Sequence, residues 1–147
     1  MEINTTEKIN LAIVRANKAY SEWDRKNHMP DYMGVILYEL LIRKKLTQKE
    51  LVALSDLPKQ SINKGVRHLQ DLGYVELIQD EKDKRKKYCS FTKKGKEYAQ
   101  EKMLPLMELE TEVSNLMGKE KMSQLATLAC EWSDTFWSFL KKEGENK

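Results

Sequence analysis

The sequence predicts a mainly α-helical fold with one small antiparallel β-hairpin. Apolar residues recur at helical spacing through most of the 147 residues. Two short β-prone segments, 74–78 and 88–91, flank a charged loop, and a short helix pair precedes them. This order predicts a winged helix-turn-helix lobe at 31–95, between an N-terminal helix in 1–30 and C-terminal helices in 96–147.

The composition is that of a globular protein. With 40% hydrophobic and 33% charged residues, the chain has too many apolar residues for wholesale disorder. No apolar run is long enough to span a bilayer, and Met1 is not followed by a secretory signal, so no membrane association is expected. Cys89 and Cys130 are too few for a disulfide framework, which fits a cytoplasmic protein.

The first two helices are predicted from their apolar residues. A helix at about 6–26 is followed by a break at 27–30, because Pro30 disfavours a helical residue before it. A second helix at 33–44 is apolar around much of its girth and should be central to the core. The apolar stripe of the first helix consists of Ile9, Ile13, Ala16, Tyr20 and Trp23.

A helix-turn-helix is predicted next. Thr47 and Glu50 fit a capping box, in which each side chain satisfies a free amide at the start of a helix. Leu51, Val52 and Leu54 should face inward.

The second helix of this pair follows a turn at 55–57. Pro58 suits the first helical position, where a missing N–H costs nothing. The helix should run to about Leu72 and end at Gly73, a left-handed stop.

The C-terminal third should be helical. Thr92 is predicted to begin a long helix towards Leu116, bent or interrupted near Pro105. Gly118 separates it from a last helix, which has an apolar face formed by Leu125, Leu128, Ala129, Trp132, Phe136, Phe139 and Leu140.

The helix after Pro58 has the side chains of a DNA-reading helix. If Ile62, Val66 and Leu69 are buried, a polar face lies opposite them at about 100° per residue. Such donors and acceptors match base edges in the major groove, and the helix start suits a phosphate. A solvated surface is the alternative, but the capped helix before it and the basic hairpin after it favour DNA. The DNA-binding candidates are Lys59, Gln60, Ser61, Asn63, Lys64, Arg67 and His68.

The hairpin loop is the candidate wing. Residues 58–96 contain 11 Lys/Arg and 5 Asp/Glu, so a cationic segment lies within a chain of net charge +3. Asp83 is predicted to organise an arginine rather than act as an acid. The cations that could neutralise phosphates or enter the minor groove are Lys82, Lys84, Arg85, Lys86 and Lys87.

These residues resemble the multiple-antibiotic-resistance regulator (MarR) family of winged-helix transcription factors. The wing match is Asp83-x-Arg85 followed by Phe91-Thr92-x-x-Gly95. The helix-turn-helix match is Leu46-Thr47-x-x-Glu50-Leu51 followed by Leu69-x-x-x-Gly73-Tyr74-Val75.

The resemblance implies a homodimer on double-stranded DNA with a pseudo-palindromic operator. It implies that Arg85 reaches the minor groove and that Asp83 holds the wing through a salt bridge. It also implies repression relieved by a small, often phenolic, effector bound between lobe and dimer region. Three positions depart from the family pattern: Gly65 replaces an aliphatic residue, Lys64 an arginine and Arg67 an acid. Operator sequence therefore cannot be carried over.

The two terminal helices are predicted to form the homodimer interface, because amphipathic helices outside the lobe bury their apolar faces best against a second copy. Packing within one subunit is the alternative. The predicted dimerisation residues are Ile9, Ile13, Tyr20, Leu125, Leu128, Trp132, Phe136, Phe139 and Leu140.

No catalytic, cofactor or metal site is predicted. His28 and His68 are the only histidines and have no paired ligand spacing. The effector site is unassigned: Trp23, Tyr32, Tyr38 and the methionines would suit a cleft but fit a plain core better.

Two other functions remain open at this stage. One is a winged-helix adaptor that binds an acidic protein partner. The other is a thiol-based redox-responsive regulator using Cys89 or Cys130, although either cysteine fits a small apolar residue better.

Overall fold

A computed structural model describes residues 1–145 and confirms the predicted fold class. The described chain has six helices and one small antiparallel sheet. It divides into two compact units, Met1–Pro105 and a second that begins at Leu106. The elements are α1 (Thr5–Lys26), α2 (Asp31–Arg43), β1 (Lys45–Leu46), α3 (Gln48–Leu54), α4 (Lys59–Asp71), β2 (Val75–Gln79), β3 (Lys87–Phe91), α5 (Lys93–Met117) and α6 (Lys119–Glu145).

The hydrophobic core of the first unit lies under α2, as the apolar girth of that helix predicted. Each large side chain removed from water contributes roughly 1.5–3 kcal/mol, so this cluster holds the helix-turn-helix against the sheet. The fully buried large side chains are Ile36, Leu37, Leu40, Leu51, Ile62, Val66, Leu69, Cys89 and Met103.

The sheet has the strand order β1-β3-β2, and both pairs are antiparallel. The predicted hairpin is confirmed, with Val75 opposite Phe91 and Leu77 opposite Cys89. Strand β1 was not predicted, since two residues are too few to show an alternating pattern. It places Leu46 beside Cys89 and closes the sheet over the core.

The helix caps differ in part from the prediction. The capping box lies at Asn4 and Glu7, where each side chain accepts a backbone N–H of the other, at 2.8 and 2.9 Å. Thr47 does cap α3, because its Oγ1 accepts the N–H of Glu50 at 3.0 Å. The reciprocal half of that box is wrong: the Glu50 carboxylate accepts the Thr47 hydroxyl at 3.1 Å, not the backbone amide.

Two smaller expectations are also wrong, and of the bend or interruption expected near Pro105 the interruption is wrong. Leu54 is 43% exposed, because it lies at the last position of α3, where the chain leaves the core. Pro58 is the N-cap of α4 rather than its first helical residue. Helix α5 continues through Pro105, although the carbonyl of Glu101 there lacks its usual helical donor. The left-handed stop at Gly73 is confirmed by its φ of +76°.

The end of the sheet is fixed by Thr92 and Gly95. The Thr92 Oγ1 accepts the N–H of Gly95 at 3.0 Å and donates to the carbonyl of Gly73 at 2.7 Å. A Cβ on Gly95 would lie 1.7 Å from the carbonyl oxygen of Tyr74. Only glycine permits this approach, so the start of α5 is held directly against the chain that leaves α4.

The terminal helices contrast with this packing. Neither α1 nor α6 has a buried residue among those described. In the second unit, Trp132 and Phe136 form an edge-to-face pair with ring centroids 5.8 Å apart. Within residues 1–145, no helix has the length and apolar character needed to cross a bilayer.

Candidate nucleic-acid interface

Helix α4 has one buried and one polar face. Ile62, Val66 and Leu69 are at most 1% exposed, which confirms the predicted stripe. The opposite face carries the predicted polar side chains. Lys59, Gln60, Lys64, Arg67 and His68 are exposed, whereas Ser61 and Asn63 are half-buried.

Gly65 explains how α4 is seated against α2. A Cβ at this position would lie 2.6 Å from Cδ2 of Tyr32 and 2.7 Å from Cδ1 of Ile36. Both distances are shorter than real Cβ contacts, so a larger residue here would require the Tyr32 or Ile36 side chain to shift. Glycine here lets the Tyr32 ring approach the helix backbone, at a helix cost of roughly 1 kcal/mol relative to alanine.

The start of α4 has no side-chain cap, because Pro58 occupies the N-cap. The first amides to be bonded are those of Ser61 and Ile62, which donate to the carbonyl of Pro58 at 3.0 and 3.3 Å. The earlier amides, with the positive end of the helix dipole, suit a phosphate oxygen.

A side-chain hydrogen bond joins the two helices of the helix-turn-helix. Gln48 Nε2, at the first position of α3, donates to Asn63 Oδ1 of α4 at 3.3 Å. Gln48 was missed in the sequence analysis, because a polar residue after a helix cap is common and its partner lies fifteen residues away.

The wing is a closed loop between β2 and β3. The Asp80 N–H donates to the carbonyl of Lys86 at 2.9 Å, and the Lys86 N–H donates to that of Asp83 at 3.0 Å. Gln79 Nε2 donates to the carbonyl of Lys84 at 2.7 Å. The loop backbone is thus restrained while its cationic side chains, Lys82, Lys84, Arg85, Lys86 and Lys87, are all exposed.

Asp83 lies beside Arg85 at the tip of this loop. Its Oδ1 accepts the Arg85 backbone N–H at 3.0 Å and lies 3.6 Å from the Arg85 Nε. The arginine side chain remains 95% exposed. Exposed pairs of this kind contribute little to stability, so the main consequence is a fixed turn that presents a cation to solvent.

The two cysteines occupy different environments. Cys89 is fully buried in β3, and burial raises the pKa of its thiol to about 11. The reactive thiolate is therefore scarce near neutral pH, which argues against Cys89 as a redox sensor. Cys130 is exposed on α6. The described residues contain no cluster of His, Cys, Asp or Glu that could hold a metal ion.

The aromatic residues considered for an effector cleft pack within the first unit. Tyr32 contacts Gly65, and Tyr38 meets Tyr20 edge to face with centroids 6.4 Å apart. Trp23 is half-buried near the end of α1. A shallow cavity of about 400 Å³ lies elsewhere, beside the wing; it is lined by Lys45, Ile78, Gln79, Asp80, Glu81, Lys82, Tyr88 and Ser90.

The predicted dimerisation residues lie on the surface of the single chain. Phe139 is 66% exposed and Leu128 61%, so this apolar face is open to solvent in the single chain. Trp132 is half-buried. Ile9, Ile13, Tyr20, Leu125, Phe136 and Leu140 are exposed.

A helix pair followed by a hairpin that packs on the same core defines the class of winged-helix proteins. Residues 35–86 match the model of the MarR family, so the resemblance indicated by the wing is confirmed. No match was found among curated proteins. Over residues 35–86 the chain is thus similar in sequence to the MarR family of regulators.

Solved structures share the fold along most of the chain. A MarR family regulator from Neisseria meningitidis superposes with a TM-score of 0.77 at 24% identity, covering 98% of this chain and 99% of its own. NadR in complex with 4-hydroxyphenylacetate gives 0.73 at 20% identity, covering 84% and 91%. A mutant MarR from E. coli gives 0.62 at 16% identity, covering 89% and 97%.

Proposed function

We propose that this protein is a sequence-specific regulator of transcription that binds double-stranded DNA as a homodimer in the cytoplasm. The observation that carries the proposal is the arrangement of α4: three side chains anchor one face in the core, and the opposite face exposes donors and cations. That face suits the major groove, and the adjacent wing adds an exposed arginine for the minor groove.

The residues divide by their expected role. Gln60, Lys64 and Arg67 lie opposite the buried stripe and are proposed to contact base edges, with Asn63 and His68 at the margins. Ser61 and the uncapped helix start are proposed to bind a phosphate. The wing lysines are proposed to neutralise phosphates, which raises affinity without selecting sequence.

The dimer proposal rests on the apolar surfaces of α1 and α6. A 27-residue helix with no buried residue and several exposed aromatic side chains is not a stable surface in water. A second copy of the chain would cover it by two-fold symmetry, and symmetry then places two recognition helices on half-sites about 10 base pairs apart. A pseudo-palindromic operator follows from that geometry.

We further propose that the protein acts as a repressor and releases DNA when a small aromatic molecule binds. The support is the fold shared with NadR, whose structure contains 4-hydroxyphenylacetate. An effector of this class would lower DNA affinity by binding the DNA-incompetent state more tightly.

The test is selection of bound sequences from a random DNA pool, followed by mobility shifts on the selected sites and on DNA upstream of the gene. Gln60→Ala or Arg67→Ala should alter preference at one base pair by about 1–3 kcal/mol where the side chain makes a bidentate contact. Absence of any complex at low salt, where phosphate contacts are strongest, would overturn the proposal.

A further inference from the structure

The hydrogen bond between Gln48 and Asn63 bears on how the recognition helix meets a base. Asn63 lies at the margin of the polar face of α4, one turn from both Lys59 and Arg67. Its Oδ1 accepts Gln48 Nε2 at 3.3 Å, and both side chains are half-buried between α3 and α4. The contact therefore sets the orientation of a side chain next to two exposed cations.

An asparagine amide has an oxygen that accepts and a nitrogen that donates, on opposite sides of one carbon. Because the oxygen accepts from Gln48, the Nδ2 is the group of this amide left to contact a ligand. None of the described hydrogen bonds engages that Nδ2. Asn63 therefore presents a donor to whatever approaches this edge of α4.

We propose that Gln48 is a positioning residue that determines base preference by fixing the amide of Asn63. This rests on the proposed DNA-binding function. An unrestrained asparagine pairs with adenine through one donor and one acceptor, whereas a donor alone is best matched by guanine, which offers two acceptors, N7 and O6. The hydrogen bond between Gln48 and Asn63 therefore favours guanine at the base that Asn63 contacts.

The sharpest variant is Gln48→Glu. A glutamate carboxylate can only accept, so it draws the Asn63 Nδ2 towards α3 and turns the oxygen outward. Preference at that base should move from guanine to cytosine or adenine, whose amino groups donate in the major groove. We expect about a tenfold change in the ratio of bases selected, which corresponds to roughly 1.4 kcal/mol. A glutamate at a helix start is favourable, so the fold should be retained.

Lys49→Gln is the matched control. It lowers the net charge by the same amount at the neighbouring position of α3, where the side chain is exposed. It should weaken binding to all sequences alike and leave base preference unchanged. Gln48→Ala frees the amide and should raise the share of adenine.

A second measurement uses the protein without DNA. In nitrogen-15 spectra, the side-chain amide protons of Asn63 should shift downfield in Gln48→Glu, because one of them then binds a carboxylate, and should not do so in Lys49→Gln. This shift directly reports the reversal of the Asn63 side-chain amide.

The outcomes separate this inference from the function on which it rests. If the parent and Gln48→Glu both select an operator with the same base ratios, the inference is overturned and the regulator proposal stands. An unshifted Asn63 amide in Gln48→Glu also overturns it. If the parent protein selects no sequence at all, both proposals are overturned.

Discussion

The winged-helix lobe and the terminal helices use apolar residues in different ways. In the lobe, Ile62, Val66 and Leu69 are buried within the same chain, so α4 can expose a fully polar face and still be anchored. In α6, the residues at the corresponding spacing are exposed except for the half-buried Trp132, and no described residue of that helix is buried. The first unit completes its core within one chain, whereas the apolar face of α6 remains exposed in the single chain.

The first prediction contrasts a glycine in the lobe with one in α6. Gly95→Ala should lower the free energy of unfolding by about 3 kcal/mol or more, because the new Cβ would lie 1.7 Å from the Tyr74 carbonyl oxygen and the backbone must move. Thermal unfolding at fixed protein concentration measures this. Gly144→Ala meets nothing within 4 Å and should leave the midpoint unchanged or slightly raised. Equal changes in the unfolding midpoint for Gly95→Ala and Gly144→Ala would contradict this difference between the lobe and α6.

The second prediction concerns the apolar face of α6. Phe136→Glu should raise the dimer dissociation constant at least about 30-fold, since truncated or charged central aromatic residues cost about 2 kcal/mol or more in an interface. Analytical ultracentrifugation measures it. Thr127→Glu is the control, because it is exposed nine residues away and falls on the opposite side of the helix at about 100° per residue. A monomeric parent protein would rule out the dimer.

The third prediction concerns the wing. Arg85→Ala should weaken DNA binding about tenfold for all sequences and reduce the slope of affinity against salt by about one, because a cation proposed to enter the minor groove, and so to displace one counterion, is lost. Fluorescence anisotropy at several salt concentrations tests both effects. Lys119→Ala removes an exposed cation outside the lobe and should change neither. An Arg85→Ala variant with the parent salt slope would exclude Arg85 from the DNA contact.

The sequence predicted those features that local chemistry determines. The buried stripe of α4 follows from periodicity, and the stop at Gly73 and the hairpin follow from residue types. Features created by distant neighbours were missed. Gly65 was recognised as unusual, but its reason is the ring of Tyr32 on another helix.

In the candidate site, too, only the features determined by local chemistry were predicted. Its exposed cations were predicted because charge and helical position are local properties. The bond between Gln48 and Asn63 was not, because no pattern specifies which two polar residues meet across a turn. The two-residue strand β1 was missed for the same reason, since its register is set by β3.

The smallest predicted effect lies where α1 meets the lobe. Burial, followed by the charge of Asp31, raises the pKa of Asp24 from 3.8 to about 6. Its carboxylate occupies the space beside Gly34, where a Cβ would be 2.7 Å from Oδ1. Because the folded pKa is above the unfolded one, the protonated form stabilises the fold at low pH, and that contribution is lost as pH rises from about 4 to about 6.

Asp24→Asn tests this, since its amide stays neutral at every pH. The variant should be more stable than the parent above pH 6, by at most about 1 kcal/mol, because solvent still reaches the carboxyl and screens it. Below about pH 4 the difference should vanish, as unfolding midpoints across this range would show. Asp31→Asn should lower the pH at which the stability contribution of protonated Asp24 is lost, because it removes the neighbouring charge. A stability difference that does not vary with pH would mean that Asp24 affects stability through the shape of its side chain and not through its charge.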